Sequence, residues 1–110
     1  MSPAEEVMPE SEAAPKHTVL VVEDEILIRL SIADHLRSCG FKVAEAGNAA
    51  EAQALFSSGL QIDLVFSDIH MPNPNDGVSL AQWIDAEGYN VPVILTSGLA
   101  EALNAAEGAC

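Results

Sequence analysis

Short apolar runs alternate with helix-like stretches along most of this chain, from residue 17 onward. The first run, HTVLVVE at residues 17–23, is apolar and rich in β-branched residues, which is typical of a strand covered on both faces. Three similar runs follow at residues 41–46, 62–68 and 91–97. Because strands that alternate with helices form βαβ units, the pattern predicts an α/β domain with a parallel sheet.

Helices are predicted between these runs, at about residues 25–39, 49–58 and 78–87, and a further helix begins after the last run. Gly40 stands where a left-handed helix cap is expected, and Asn48 with Glu51 resembles a capping box. Cys39 is predicted to be a small core residue at the end of the first helix.

Length and composition favour one domain, since domains usually have about 100–150 residues and this chain has 110. Residues 1–16 contain three prolines and four glutamates with few apolar side chains. Such a segment cannot bury enough surface to order itself. We therefore predict a disordered acidic tail at residues 1–16 and a folded domain at residues 17–110.

The charge balance limits the classes of partner. The formal net charge is -13, and the only basic residues are Lys16, Arg29, Arg37 and Lys42, which form no cluster. Direct binding to nucleic acid or to an anionic membrane surface is therefore not expected. No apolar run approaches the roughly 20 residues that cross a bilayer. Two cysteines form at most one bridge, and no secretion leader is recognisable, so a cytoplasmic location is expected.

Polar side chains gather where the predicted strands end. Glu23 and Asp24 end the first strand, Asp68 ends the third, and Thr96 and Ser97 end the fourth. In an open parallel sheet, ligands bind at the carboxyl ends of the strands. Three neighbouring carboxylates repel one another unless a cation neutralises them, and Mg²⁺ prefers such oxygen ligands. An Asp in this setting can also act as a nucleophile toward phosphorus.

Each of these features also has a purely structural interpretation. Acidic residues suit the start of a helix, Asp68 alone could belong to a turn, and Thr96 or Ser97 could cap the next helix. For Thr96 the structural role is favoured, whereas Ser97 is compatible with both roles. The combination of carboxylates and hydroxyls at neighbouring strand ends favours the functional interpretation.

Three motifs resemble those of bacterial-type response regulator receiver domains. They are VLVVEDE, LVFSDIHMP with a following DG, and PVILTSG, and they occur in the order and approximate spacing of that family. The resemblance extends from about residue 17 to residue 101. It implies a flavodoxin-like, doubly wound parallel sheet with strand order 2-1-3-4-5. This chain stops before a fifth strand, which leaves the order 2-1-3-4.

The resemblance also implies roles for individual residues. Asp68 corresponds to the phosphoacceptor. Glu23 and Asp24 correspond to the acidic pair that binds Mg²⁺, together with Asp68 and the backbone carbonyl of His70. Ser97 corresponds to the hydroxyl that senses the phosphoryl group.

Thr96 is the second choice for that hydroxyl. A histidine kinase or histidine phosphotransfer protein is the implied phosphoryl donor, in two-component signal transduction. The domain would assist only its own phosphorylation and dephosphorylation, and would not be a free-standing enzyme.

The chain departs from the family pattern in two places. The loop MPNPNDG is one residue longer than the commonest form, and the chain ends before the fifth strand with its aromatic switch residue and Lys-Pro pair. No lysine follows Lys42. We expect a C-terminally truncated receiver, or one that another chain completes. The first helix should then lose part of its cover, and the fourth strand should be an apolar edge that invites dimerisation or exchange of elements.

Two alternatives belong to other functional classes. A haloacid-dehalogenase-like phosphatase also uses an Asp nucleophile and Mg²⁺, but its motif requires a second Asp two residues after the first, where this chain has His70. A receiver-like interaction module that binds partners without phosphorylation is the other alternative, and loss of the lysine would favour it.

Overall fold

The computed structural model describes residues 17–71 and 76–110. In these ranges four strands and four helices alternate strictly, as the sequence predicts. They are β1 (Thr18–Val22), α1 (Ile26–Ser38), β2 (Lys42–Ala46), α2 (Ala49–Ser57), β3 (Leu64–Asp68), α3 (Gly77–Ala86), β4 (Val93–Thr96) and α4 (Leu99–Ala109). The predicted tail at residues 1–16 and the centre of the lengthened loop, residues 72–75, lie outside the described residues.

The four strands form one parallel sheet in the order β2-β1-β3-β4. This confirms the flavodoxin-like, doubly wound α/β fold. Val22 at the end of β1 is in register with Ser67, and Asp68 is in register with Thr96. The carboxyl ends of β1, β3 and β4 therefore meet at one edge of the sheet.

Two apolar layers cover the sheet, one on each face. In β1, Leu20 and Val22 point toward α2 and α3, whereas Val19 and Val21 point toward α1 and α4. All four side chains are at most 1% exposed. The continuous apolar run at residues 17–23 thus becomes a central strand buried on both faces, as predicted for a parallel sheet.

Helix α4 packs beside α1 on the same face of the sheet. Ala102 and Ala106 of α4 enter the core that contains Ile32 and Leu36 of α1. The expectation that α1 loses part of its cover therefore does not apply to its second half, because the helix after β4 lies against it. The first half of α1 is less covered, and Leu27 there is 79% exposed. Strand β4 pairs only with β3 in the described sheet, so the predicted edge is present.

Local signals at the helix ends act as the sequence predicts. Gly40 has a φ of 97° after α1, a conformation that glycine adopts without strain. The side chain of Asn48 accepts a hydrogen bond of 2.8 Å from the backbone N–H of Glu51, and Glu51 accepts one of 2.6 Å from Gly47. No helix in the described ranges combines the length and the apolar character that crossing a bilayer requires.

Cys39 is not a core residue, which corrects the sequence prediction. It forms a disulfide with Cys110, and the two Cα atoms lie 5.6 Å apart. Helices α1 and α4 both begin at the carboxyl edge of the sheet and lie side by side. Their last residues therefore meet, a relationship that the sequence separation of 71 residues conceals.

Candidate functional site

The structure brings the three predicted carboxylates together at the carboxyl edge of the sheet. One ligand oxygen from each of Glu23, Asp24 and Asp68 lies within 4.8 Å of the others. Glu23 is buried, Asp68 is half-buried and Asp24 is exposed. The three form an acidic pocket that is buried on the side of Glu23 and open to solvent on the side of Asp24.

Backbone and side-chain donors hold Glu23 in place. The backbone N–H of Glu25 donates to Glu23 Oε2 at 3.0 Å, which fixes the carboxylate. The guanidinium of Arg29 donates through Nη1 to the backbone carbonyl of Glu23 at 2.8 Å and through Nε to Glu45 Oε1 at 3.2 Å. Arg29 therefore ties the first turn of α1 to the end of β1 and to β2.

The environment of Glu23 raises its pKa from the ordinary value of 4.5 to about 7. Burial is the largest cause, because desolvation disfavours the charged carboxylate. The negative charges of Asp68 and Asp24 raise the pKa further, and the hydrogen bond from the N–H of Glu25 opposes the shift. Glu23 is therefore partly protonated near neutral pH, because its carboxylate is buried beside two other negative charges.

Asp68 ends β3 beside β4 and is oriented by the backbone that follows it. The N–H of His70 donates to Asp68 Oδ1 at 3.1 Å, and the N–H of Ile69 donates to the carbonyl of Thr96 at 2.9 Å. The side chain of His70 is exposed. In the described structure His70 is thus tied to the pocket by a backbone hydrogen bond, and the metal-binding role that the resemblance implies for its carbonyl stays a prediction.

Gly77, the first residue of α3, approaches the backbone of Asp68 very closely. A Cβ atom at this position would collide with the carbonyl oxygen of Asp68 and lie 3.0 Å from Ser67 Oγ. The N–H of Gly77 also donates to the carbonyl of Ile69 at 3.2 Å. Only glycine allows α3 to begin this close to the end of β3, so Gly77 positions the strand end that carries Asp68.

The two hydroxyl candidates occupy different environments at the end of β4. Thr96 is buried and 5% exposed, whereas Ser97 is exposed. Neither caps α4, which corrects one structural interpretation. Gly98 is the N-cap of α4 and makes no side-chain cap bond, while the N–H of Ser97 donates to Glu101 Oε1 at 2.5 Å. The backbone register places the end of β4 directly beside Asp68.

The donor set fits a hard divalent cation. Carboxylate oxygens are the ligands that Mg²⁺ prefers, usually one or two of them with waters and a substrate phosphate. The raised pKa of Glu23 fits the same interpretation, since a cation in the acidic pocket would replace the proton that burial and like charges now favour. The residues present are therefore suited to hold Mg²⁺.

Sequence reasoning found the carboxylates but missed the role of Arg29. Its contact joins residues six apart along the chain, a spacing that marks no regular helix or strand pair. The scarcity of basic residues offered a signal, because Arg29 is one of only four in the chain and stands five residues after the acidic pair. In the sequence Gly77 is only part of the DG motif, and its close approach to Asp68 arises in the folded chain.

A model of the family described as the response regulator receiver domain matches residues 19–109. The transcriptional regulatory protein PdtaR of Mycobacterium tuberculosis is 38% identical over 89 residues, which are 80% of this chain and 42% of that protein. The sensor histidine kinase RcsC of Escherichia coli is 40% identical over 76 residues, 69% of this chain and 8% of that protein. The chain thus spans less than half the length of these relatives.

Solved structures agree with the family match. A response regulator receiver protein from Pseudomonas putida superposes with a TM-score of 0.70 at 28% identity, covering 86% of this chain and 80% of that one. The receiver domain of the hybrid histidine kinase CckA gives a TM-score of 0.71 at 28% identity, covering 84% and 94%. With the matched family model and the sheet order, these likenesses establish that the chain belongs to the response regulator receiver domain family of two-component systems.

Proposed function

We propose that Asp68 accepts a phosphoryl group from a phosphohistidine, with Mg²⁺ held by Glu23, Asp24, Asp68 and the backbone carbonyl of His70. The convergence of three carboxylates within 4.8 Å at the ends of β1 and β3 carries this proposal. The family match over residues 19–109 supports it.

Asp68 is suited to act as the nucleophile. It is half-buried, so it is accessible to a donor, and the N–H of His70 orients its carboxylate. A carboxylate oxygen of Asp68 attacks phosphorus, an O–P bond forms, and the P–N bond of the phosphohistidine breaks with its electron pair returning to the imidazole ring. When bound, Mg²⁺ offsets negative charge on the transferring phosphoryl oxygens.

The end of β4 supplies the hydroxyl that responds to the new phosphoryl group. We assign this role to Ser97, which is exposed and follows the residue in register with Asp68, and give Thr96 second place because its side chain is buried. A hydrogen bond from Ser97 to the phosphoryl group would favour one of two conformations of the segment between β4 and α4. The switch is then a population shift driven by added charge.

The partner and setting follow from the same proposal. The phosphoryl donor would be a histidine kinase or a histidine phosphotransfer protein, acting in the bacterial cytoplasm, and sensor kinases among the relatives support this class of partner. Neither nucleic acid nor a membrane surface is proposed as a direct partner, because only four basic residues stand against 17 acidic ones, which gives a net charge of -13. The chain would be an acceptor that loses its own phosphoryl group, without turnover of external substrates.

Intact-mass measurement with a small phosphodonor tests this function. The wild-type chain should gain one phosphoryl group only when Mg²⁺ is present, and Asp68→Asn should gain none. Asp85→Asn is the matched control, since Asp85 is an exposed aspartate on α3 and should leave the adduct unchanged. Absence of any adduct would support an interaction module, whereas continuous phosphate release from varied substrates would support a phosphatase.

A further inference from the structure

A second group of side chains of the types that bind metals lies far from the acidic pocket. It comprises His35, Cys39 and Cys110, and we call it the Cys-His cluster. Helix α1 begins directly after the acidic pair and ends at Ser38, and its 13 residues span about 20 Å at 1.5 Å per residue. The Cys-His cluster therefore lies at the amino edge of the sheet, at the opposite end of α1.

Two helices supply the side chains of the Cys-His cluster. His35 and Cys39 are four residues apart at the end of α1, a spacing that places both on one face of the helix. Cys110 follows α4 and reaches the same point because α4 packs along α1. One ligand atom from each residue lies within 4.8 Å of the others.

One distance in the Cys-His cluster is close to that between two ligands of a tetrahedral metal ion. His35 Nε2 lies 3.8 Å from Cys110 Sγ. With Zn–N near 2.0 Å and Zn–S near 2.3 Å, tetrahedral geometry separates such a nitrogen and sulfur by about 3.6 Å. The two sulfurs now form a disulfide, and in a zinc site they would separate to about 3.8 Å. Rotation of the side chain of Cys110, which is exposed, provides that movement.

We propose that the Cys-His cluster, with both cysteines reduced, binds one zinc-like cation through Cys39 Sγ, Cys110 Sγ and His35 Nε2. Two thiolates and an imidazole are soft and borderline ligands that select Zn²⁺ over Mg²⁺. Three protein ligands leave the fourth tetrahedral position for water. The net charge of -13 favours a bound cation in general.

Oxidation and metal binding exclude each other at this position. In a reducing cytoplasm protein disulfides are rare, so the dithiol form is available there. A small-molecule disulfide converts the dithiol form back to the Cys39–Cys110 disulfide by thiol–disulfide exchange. One protein thiolate attacks a sulfur of the small disulfide and displaces one thiolate, and the second protein thiolate then attacks the mixed disulfide and displaces the other. Two electrons pass to the small disulfide, the Cys39–Cys110 bond forms, and the cation leaves.

Titration with Co²⁺ under anaerobic conditions tests the proposal on the full chain. Co²⁺ replaces Zn²⁺ in tetrahedral sites and gives a thiolate-to-metal absorption that oxygen ligands do not produce. Excess Mg²⁺ fills the acidic pocket during the titration. The reduced protein should develop the thiolate band at one Co²⁺ per chain and lose it when Zn²⁺ is added. The oxidised protein should show no thiolate band.

Variants separate a three-ligand site from a simple pair of thiols. Cys110→Ser should abolish the thiolate band, and His35→Gln should weaken Co²⁺ binding at least about tenfold, since even outer partners of a metal site contribute that much. His17→Gln is the matched control, because His17 is an exposed histidine outside the Cys-His cluster. The proposal is overturned if the reduced protein shows no thiolate band, or if His35→Gln binds Co²⁺ as tightly as the wild type. Circular dichroism establishes that each variant is folded.

Discussion

Arg29 donates to the backbone carbonyl of Glu23 at 2.8 Å, so one side chain of α1 holds the strand end on which the acidic pocket is built. Arg37, two turns later on α1, shares the partner Glu45 but makes no bond to Glu23 among the described contacts. The two arginines therefore form a natural pair for comparison, since both contact β2 and only Arg29 also contacts the end of β1.

Replacing Arg29 should weaken metal binding as well as stability. Arg29→Ala removes a charged donor from a largely buried carbonyl, which should lower the free energy of unfolding by about 1–3 kcal/mol. Arg37→Ala removes an exposed ion pair and should cost less than about 1 kcal/mol. Chemical denaturation and Mg²⁺ titration of both variants test this. Equal Mg²⁺ affinities for the two variants would contradict a positioning role for Arg29.

Adding one methyl group at Gly77 should disturb Asp68. Gly77→Ala forces Cβ against the carbonyl oxygen of Asp68, so either α3 or the end of β3 must move. We expect a loss of about 1–3 kcal/mol in stability and slower phosphorylation by a small phosphodonor. Gly108→Ala is the control, because a Cβ there meets nothing within 4 Å and alanine favours the helix. A Gly77→Ala variant that is as stable as the wild type and is phosphorylated at the same rate would show that the close approach has no role.

Mg²⁺ should bind more tightly as the pH rises through 7. Binding requires Glu23 to lose its proton, and its pKa is raised to about 7. The unprotonated fraction then grows about tenfold between pH 6 and pH 8, and the affinity for Mg²⁺ should grow by the same factor. Fluorescence or calorimetric titration at both pH values measures this. In Glu23→Gln the pH dependence should disappear.

The same group makes the metal-free domain less stable at higher pH. The folded state holds the Glu23 proton more tightly than the unfolded chain does, so the stabilisation is complete below pH 4.5 and is lost as the pH rises through about 7. Thermal unfolding with a chelator should show the wild type losing stability across this range relative to Glu23→Gln. Parallel curves for the two proteins would rule out this contribution.

Reduction of the disulfide should destabilise the domain without unfolding it. The bridge joins residues 71 apart, and closing a long loop in the unfolded chain typically contributes about 2–4 kcal/mol. Denaturation curves with and without a reductant measure the difference, and Cys39→Ser with Cys110→Ser should reproduce the reduced value. The opposite finding, equal stability in both redox states, would mean that packing of α4 on α1 alone holds these helices together.

Strand β4 should mediate self-association at high concentration. The carbonyls of Pro92 and Thr96 accept bonds from β3, so by the alternation of a parallel strand the N–H of Leu95 points outward. Leu95→Pro removes that outward donor and should give monomers, whereas Leu95→Ala keeps it and should still associate. Sedimentation velocity at several concentrations distinguishes the variants. A monomeric wild type at all concentrations would remove the edge-pairing hypothesis.

The strands and the gathering of carboxylates at their ends were accessible from the sequence because local signals agree with one another, whereas the strand order was implied by the family resemblance. The run at residues 17–23 has the apolar continuity of a buried parallel strand, and Asp68 follows an equally clear run. Parallel strands bring their carboxyl ends to one edge, so Glu23, Asp24 and Asp68 had to be neighbours once the sheet was correct.

Contacts between elements that are distant along the chain could not be predicted from local sequence signals. The position of α4 beside α1 depends on which face the chain crosses after β4, and no local pattern in an alanine-rich helix fixes that choice. The pairing of Cys39 with Cys110 follows from that position. Because the sequence does not reveal the position of α4, it gave no sign of the pairing, and Cys39 was predicted to be a core residue instead. The roles of Mg²⁺, Ser97 and the phosphohistidine donor stay predictions.

The burial of β1 on both faces and both edges makes it the last part of the domain to open. Its amide hydrogens, from Val19 to Val22, lie between β2 and β3 and beneath side chains that are at most 1% exposed. Their exchange with deuterated solvent should require global unfolding rather than local fluctuation. The exchange rates of these four amides therefore report the stability of the whole domain, independently of events at either end of α1.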